Sequence, residues 1–473
     1  MSSKNSETIF ISLSSMAVFK NLFFFPGSVF DQLKKMLEER KNLKIVLLLP
    51  DKVYYGKYSP FFSSVAGEQF AIEVAPAPAA FENFFQKVFY FFFSYLIYTD
   101  ATRVFATLGF RPDEPPAGGK RYLAPVKWFI ANTFGRFRII KVSLIPFLFY
   151  RVSRQRPFSN LFEKYKPDLV FTPHIYGRYD MRLLAEAKRS GVKTLGMISG
   201  WDHFDKYFLP FRPDVLLAQS AHIKKMAVNL QCYEDDGVKI VGYPHHDFIS
   251  DERYKMSRGE LLKSLDFPEN ARYLLYISGS VYSPDEPDVI ETMLRWIDEG
   301  RLGPNLFFVI RPYLGGRGAD RNFDKKKFER FEEHPRVRFY KREFWGDLEK
   351  SIYFVNILRH SSVTMTMFTT AMLEAMVFDV PMLINIFDGY HKRPLRQSIR
   401  RYAFNERFEE VFATGAPKVI GSFEELFSAL DAFLKNPKLD SEKRERFRDK
   451  VLYKSDGLSS QRVIEHIKKA LYG

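Results

Sequence analysis

An α/β fold of two parallel-sheet domains is what the sequence predicts. Three observations carry the prediction. Short apolar runs alternate with segments of helical period, the alternation occurs in two separate blocks, and a polar, charge-rich connector over 250–270 divides them. Continuous apolar strands separated by helices signal a parallel sheet covered on both faces. The 473 residues are enough for two to four domains. The reading is therefore two Rossmann-like domains facing across a cleft, with a helical insertion in the first.

In the first block, strands are expected over 9–13 and 44–49, on either side of a helix near 30–40. A third strand over 70–74 is closed by the turn-forming Ala75-Pro76-Ala77-Pro78. After the insertion the alternation resumes, with strands over 169–172, 194–198, 215–218 and 238–241 and helices over 181–189 and 221–230. The second block carries strands over 273–277, 306–310, 337–340, 362–365 and 381–386. Its helices are expected near 288–299, 347–358 and 370–377. Ser422-Phe423-Glu424-Glu425 reads as a capping box opening a helix over 423–434, whose Phe423, Leu426, Phe427, Leu430 and Leu434 make one apolar stripe. A last helix over 460–471 would bury Val463, Ile464, Ile467 and Leu471. The domains expected are 1–248, 249–457 and a terminal helix, 458–473, packing back on the first.

Composition narrows the function. Hydrophobic residues make up 46% and charged residues 27%, which excludes a disordered or collagen-like chain. The single cysteine, Cys232, allows no intrachain disulfide and no thiolate metal cluster, and fits a reducing cytoplasm. The formal charge of +15 suggests a polyanionic neighbour. No transmembrane helix is expected. The apolar stretch 8–25 is interrupted by Lys20 and lacks the basic leader and cleavage site of a signal peptide. The run 84–98 carries Gln86 and Lys87 and falls short of the ~20 residues needed to span a bilayer.

The insertion, about 81–160, holds 12 Lys/Arg against 4 Asp/Glu and so supplies +8 of the net charge. In 81–98 the polar positions Asn83, Lys87, Tyr90, Ser94 and Tyr98 recur every three or four residues on an otherwise aromatic helix. Such a helix is either buried or lies in a membrane interface. Further on, aromatics such as Trp128, Phe137 and Phe147 interleave with Arg136, Arg138 and Arg151, a mixture that suits an anionic headgroup layer. It would also suit nucleic acid, but no nucleic-acid-binding signature accompanies it, and no nucleic-acid partner is expected.

In open α/β sheets ligands bind where loops leave the carboxyl ends of the strands. In the second block these positions form a coherent set. Strand 273–277 ends in Ser278-Gly279-Ser280, a small-residue turn that lets phosphate oxygens approach backbone N–H groups. Strand 306–310 ends in Arg311-Pro312, a guanidinium suited to a phosphate fork. Thr369 and Thr370 fall at a helix start, where unpaired donors and the dipole favour an anion. Glu374, one turn on, would accept from two ribose hydroxyls. Each has a plainer reading as a cap, a turn or a surface charge. In the first block the strand ends give His174 and Ser199-Gly200-Trp201-Asp202-His203, where a carboxylate beside a histidine would take a proton from an acceptor hydroxyl. The same residues would also serve as loop braces. His245 and His246 are adjacent and make no metal pair, and no metal-binding spacing appears, so no protein-bound metal is expected.

These residues resemble a known group. The stretch 361–386, a strand, Ser/Thr turn, Glu374-Ala375 helix and Pro381-led strand, is similar to the nucleotide-binding half of GT-B glycosyltransferases. The likeness is to the bacterial surface-carbohydrate type, near CDP-glycerol glycerophosphotransferases and UDP-N-acetylglucosamine 2-epimerases. Ile310-Arg311-Pro312 resembles their Arg-Pro-His turn, with Tyr313 where histidine is usual, and Asp456-Gly457…Arg462 resembles the segment before their terminal helix. Ser199–His203 and Val241-Gly242-Tyr243-Pro244…Asp247 resemble turns of the first domain, whereas 81–160 matches none of them.

The resemblance implies a metal-independent glycosyltransferase with a nucleotide-diphosphate sugar as donor substrate and no cofactor. Glu374 would lie on the ribose, with Ser278, Gly279, Ser280, Arg311, Thr369 and Thr370 around the diphosphate. Asp202 is the first choice as base, with His174 and His203 behind it. The acceptor would be a cell-surface glycan or lipid-linked molecule. The place of action would be the cytoplasm, on the cytoplasmic face of the membrane, with 81–160 as the surface for an anionic membrane. The alternatives are a polyol-phosphate transferase, a sugar-nucleotide 2-epimerase, or a non-catalytic relative on the same fold.

Overall fold

A computed structural model describes all residues except 1–5, 52–55, 57–58, 78–80, 82, 106–122, 199, 201–203, 280–282, 314–325, 341–347, 370 and 405–407. The chain forms two compact units. One comprises Met1–Tyr98, Pro125–Phe248 and Ser455–Gly473, and the other Thr99–Ala124 and Ile249–Lys454.

The first unit is built on seven parallel strands, β1 (Glu7–Ser12), β2 (Leu43–Leu49), β3 (Phe70–Val74), β4 (Leu169–Thr172), β5 (Lys193–Met197), β6 (Val215–Ala218) and β7 (Val238–Ile240). Their order across the sheet is β3-β2-β1-β4-β5-β6-β7. Strand pleating sends alternate side chains to opposite faces, and both faces are covered. Ile9 and Ile11 pack with helix Val29–Glu39 and with Val463, Ile464 and Ile467 of the terminal helix, Ser459–Tyr472. Phe10 points the other way, edge-on to Phe162 at 5.3 Å in helix Ser159–Tyr165. The Asp247 carboxylate accepts from the Ser459 and Ser460 N–H groups, 3.0 and 2.6 Å, and so caps the terminal helix from the loop after β7. That tether gives the resemblance at Asp247 a structural job.

The second unit holds six parallel strands, β8 (Arg272–Ile277), β9 (Leu306–Arg311), β10 (Val337–Phe339), β11 (Val363–Thr366), β12 (Met382–Asn385) and β13 (Pro417–Ile420), ordered β10-β9-β8-β11-β12-β13. Tyr276 and Phe308 pack under helices Glu286–Asp298 and Phe423–Lys435. On the opposite face the buried Tyr273 hydroxyl donates to the Ile357 carbonyl of helix Leu348–His360, 2.7 Å.

Three details depart from the sequence reading. Strand β13 was not expected, because a four-residue run containing Pro417 and Lys418 has too few apolar positions to stand out. Ser422 caps its helix through the Glu425 N–H at 3.2 Å, but the Glu425 carboxylate reaches back to the Gly421 N–H rather than to that of Ser422. The reciprocal capping box occurs instead at Ser257 and Glu260. Finally, the insertion is divided between the units. Its helix Asp100–Phe105 packs on the 3-10 helix Ile399–Phe404 of the second unit. No helix among the described residues is long and apolar enough to cross a membrane.

Candidate functional site

Strands β9, β8 and β11 are neighbours in the second sheet, so their carboxyl ends lie side by side. Register makes the alignment specific. Arg311 pairs with Ile277, and Ile277 pairs with Thr366, so three strand ends form one row. At a strand spacing of ~4.8 Å the row brings Arg311, Ser278 and the Thr366–Thr369 turn along one rim. Hydrogen bonds tie the row together. The Ser278 N–H donates to the Arg311 carbonyl at 3.0 Å, and the Thr366 hydroxyl donates to the Ile277 carbonyl at 2.9 Å.

Glu374 lies in the short helix Ala371–Met376 that follows the turn, and it is buried. Burial pushes its carboxyl up to about 7, with the Arg311 charge pulling in the opposite direction. Burial likewise lowers the Arg311 guanidinium, and Glu374 is first among the groups that hold it up. The guanidinium also lies over the Phe354 ring, 4.3 Å from its centroid. Arg311 and Glu374, 63 positions apart in sequence, are thus coupled at one rim. No hydrogen bond to the Glu374 carboxylate is formed among the described residues.

The Ser278-Gly279 turn is arranged differently from the expected phosphate cradle. Its donors are engaged by Glu286, which is fully buried. The Ser278 hydroxyl donates to one carboxylate oxygen, and the Gly279 N–H and Tyr276 hydroxyl donate to the other, both at 3.1 Å. Lys327, itself buried, completes the cluster at 2.6 Å. Gly279 is required for a packing reason, since a Cβ there would sit 2.1 Å from the Met367 Cγ. Ser278 and Gly279 therefore form a rigid floor between β8 and β11. The sequence reading missed Glu286 and Lys327, because neither carries a local sign of burial.

The Thr369 hydroxyl lies 3.1 Å from that of Thr366. Among the described residues the helix beyond it runs over Ala371–Met376. Ser280 and Thr370 lie outside the described residues. Further along the same sheet edge, after β12 and β13, a cavity of about 470 Å³ is lined by Asp388, His391, Lys392, Arg393, Arg400 and Ser422, among others. Arg393 is held by a bidentate pair with Asp285, 2.8 Å at each contact. This basic extension was not foreseen, because Lys392 and Arg393 follow their strand by a loop rather than directly.

In the first unit, Asp202 and His203 lie outside the described residues, whereas His174 is described, just beyond β4. Near it sits a group the sequence reading overlooked. Asp180, in the first turn of helix Arg178–Arg189, is completely buried and accepts hydrogen bonds from the Ser12 and Ser14 hydroxyls at 2.5 Å each. Burial raises its carboxyl to about 7 against the lowering by these two donors. A Cβ at Gly177 would lie 2.6 Å from the Asp180 Oδ2 and 3.3 Å from the His174 Cδ2, so the three residues are close neighbours. The available signals were two serines leaving β1 and an acid opening the helix after β4. Such a carboxyl, half-titrated near neutrality, can give or take a proton.

His246 is buried and His245 half-buried, with ring centroids 4.3 Å apart, and His246 stacks on Tyr243 at 5.0 Å. Burial lowers both imidazoles, His245 to about 4. Among the described residues no group of three or more His, Cys, Asp or Glu side chains is placed to hold a metal ion.

No family model and no curated protein sequence matches the chain. Solved structures do. The UDP complex of MnaA from S. aureus is similar at 14% identity and a TM-score of 0.52, over 98% of this chain and 97% of that one. The UDP-GlcNAc 2-epimerase of Neisseria meningitidis bound to UDP-GlcNAc matches at 11% identity and 0.54, over 98% and 100%. A glycosyltransferase from Rickettsia africae matches at 10% identity and 0.52, over 99% and 100%. At these identities the likeness is one of fold. The two-unit α/β fold is the one that the GT-B surface-carbohydrate resemblance implied.

Proposed function

We propose that this protein is a glycosyltransferase that moves a sugar from a nucleotide-diphosphate sugar to a cell-surface glycan or lipid-linked acceptor, on the cytoplasmic face of the membrane. One observation carries the reading, the Glu374 carboxylate. It is buried beside Arg311 at a strand-end rim and receives no hydrogen bond among the described residues. Burial, with only the Arg311 charge to oppose it, holds that carboxyl up to about 7. Its presence points to a ligand that brings donors, and the vicinal hydroxyls of a ribose do so. Arg311 supplies the counter-charge and planar fork for a diphosphate, with the Thr369 hydroxyl on the same rim. The fold likeness to proteins solved with UDP and UDP-GlcNAc supports a nucleotide-sugar donor.

In the transfer step the acceptor oxygen bonds to the anomeric carbon. The anomeric C–O bond to the diphosphate breaks, its electron pair staying on the phosphate, and the acceptor proton passes to a base. Asp202 remains first in line as that base, with His174 and His203 behind it, and Asp180 beside His174 is suited to relay or hold the proton. Cationic and dipolar groups around the departing diphosphate would stabilise its charge.

A thermal-shift panel of nucleoside diphosphates tests the reading, because a ligand of the native state raises the melting temperature by mass action. A rise with at least one nucleoside diphosphate, lost in Glu374→Ala, is expected. No rise with any of them would contradict it. Incubation with the donor alone separates the activities, since isomerisation at C2 without acceptor would assign the protein as an epimerase.

A further inference from the structure

The exposed apolar surface is unevenly distributed. Of the eighteen large hydrophobic side chains exposed among the described residues, eleven lie between Phe84 and Phe147. Phe84 and Phe85 are 73% and 79% exposed, Trp128 56%, Phe137 58% and Ile139 68%. In helix Phe84–Ser94 both the buried and the exposed face carry large apolar side chains. Gln86, Phe89, Tyr90 and Phe93 face inward, with Gln86 Nε2 donating to the Ser153 hydroxyl at 3.3 Å, while Phe84, Phe85 and Val88 face out. The outward faces of this helix and of helix Ala124–Asn132 are joined through rings. Phe134 lies 5.3 Å from Phe92 and 6.5 Å from Phe129. A close backbone approach fixes the junction, since a Cβ at Gly135 would fall 2.1 Å from the Leu96 carbonyl oxygen.

Charge identifies what this face meets. Residues 83–98 and 123–160 contain eight Lys/Arg and no Asp or Glu. Lys127 and Lys141 are buried, and Arg138 and Arg156 pair with Glu234 and Glu186. Lys87, Arg136, Arg151 and Arg154 remain exposed with no carboxylate partner among the described residues, and Arg151 stacks on the exposed Phe147 ring, 4.6 Å from its centroid. Exposed aromatics interspersed with cations that lack a carboxylate partner, in two segments that carry no acid of their own and meet the exposed Glu234 only at Arg138, match the headgroup layer of an anionic bilayer.

We propose that the face formed by Phe84, Phe85, Trp128, Phe134, Phe137 and Ile139 docks this protein on an anionic bilayer, the aromatics entering the headgroup layer and the arginines pairing with lipid phosphates. The face adds a partner to the function proposed above and does not depend on the nucleotide rim.

Flotation of the full-length protein with phosphatidylcholine vesicles, with and without phosphatidylglycerol, tests it. Flotation only with the anionic vesicles is expected, weakening as rising salt shortens the screening length. Phe85→Glu/Trp128→Glu/Phe137→Glu is expected to lose flotation while keeping its circular-dichroism melt and its nucleotide thermal shift. Leu439→Glu, at an exposed apolar side chain in the second unit, is expected to float as the parent does. Should the triple variant misfold, Arg136→Gln/Arg151→Gln/Arg154→Gln must weaken flotation instead. Flotation unchanged in a folded variant overturns the proposal, as does a parent protein that ignores anionic vesicles. A dimer that the triple variant makes monomeric overturns it in favour of a second copy on this face, and a gel shift with nucleic acid at physiological salt in favour of that polymer.

Discussion

Glu374 and Arg311 offset each other's burial at the carboxyl edge of the second sheet. The guanidinium restrains the rise of the carboxyl, and the carboxylate restrains the fall of the guanidinium. The pair is poised rather than saturated, because the carboxylate takes no hydrogen bond from the described residues. A rim of this kind binds a ligand that carries both hydroxyl donors and negative charge.

The first prediction concerns pH. Glu374 holds its proton to about pH 7 in the folded chain, and the unfolded value is 4.5; for Asp180 the values are about 7 and 3.8. Between these limits the native state binds more protons than the unfolded state, so stability falls as pH rises from about 4 to 7. Glu374→Gln is expected to remove its share of that fall, on the order of 3 kcal/mol at roughly 1.4 kcal/mol per pKa unit. Urea unfolding at pH 5 and pH 8 measures it, and an unchanged pH dependence would refute the assignment.

A second prediction concerns Asp180. Asp180→Asn keeps the Ser12 and Ser14 contacts within reach but removes the titrating proton. Turnover is expected to fall by about 10²-fold or more, with nucleotide binding unchanged. Steady-state kinetics beside nucleotide titration separates the two. An equal loss in both would make Asp180 a structural group.

Third, Asp379 gathers Lys438 at 2.8 Å, Ser441 at 2.7 Å and the fully buried Arg444 at 2.7 Å, and these partners hold its carboxyl at about 2 despite the opposing effect of burial. Its contribution is present above the unfolded value of 3.8 and is lost as pH falls through about 2. Asp379→Asn leaves Arg444 buried without its counter-charge and is expected to cost about 3 kcal/mol or more near neutral pH. Its acid unfolding should also lack the component between pH 4 and 2. Chemical denaturation across that range checks both.

Fourth, Gly279→Ala drives a methyl group into Met367 and is expected to cost about 1–3 kcal/mol. Met367→Ala in the same chain should recover part of that loss. A shift in melting temperature for Gly279→Ala that Met367→Ala leaves untouched would place the strain elsewhere.

The fold was legible because β1, β2 and β4 contain apolar runs whose alternate residues, Ile9 and Phe10 for example, both find cores. Arg311 and Glu374 were legible for another reason. Both follow strands, and strand ends converge in a parallel sheet whatever their separation in sequence. Glu286 and Asp180 were not, since nothing local distinguishes a carboxylate destined for the interior from a solvated one at a helix start. Which face of helix Phe84–Ser94 meets solvent was not legible, since both of its faces are rich in aromatics; the partner helix supplies Ser153 and Phe149 for Gln86 and Tyr90, leaving Phe84 and Phe85 outside.

The most direct measurement is the calorimetric affinity of the full chain for ribonucleoside diphosphates and for their 2′-deoxy counterparts, in the parent and in Glu374→Gln. The parent is expected to favour the ribo form by about tenfold or more, the value of a hydrogen bond to a charged group, and the variant to lose that preference. Equal affinities in the parent, or a preference that survives Glu374→Gln, would contradict the assignment of this rim to a nucleotide.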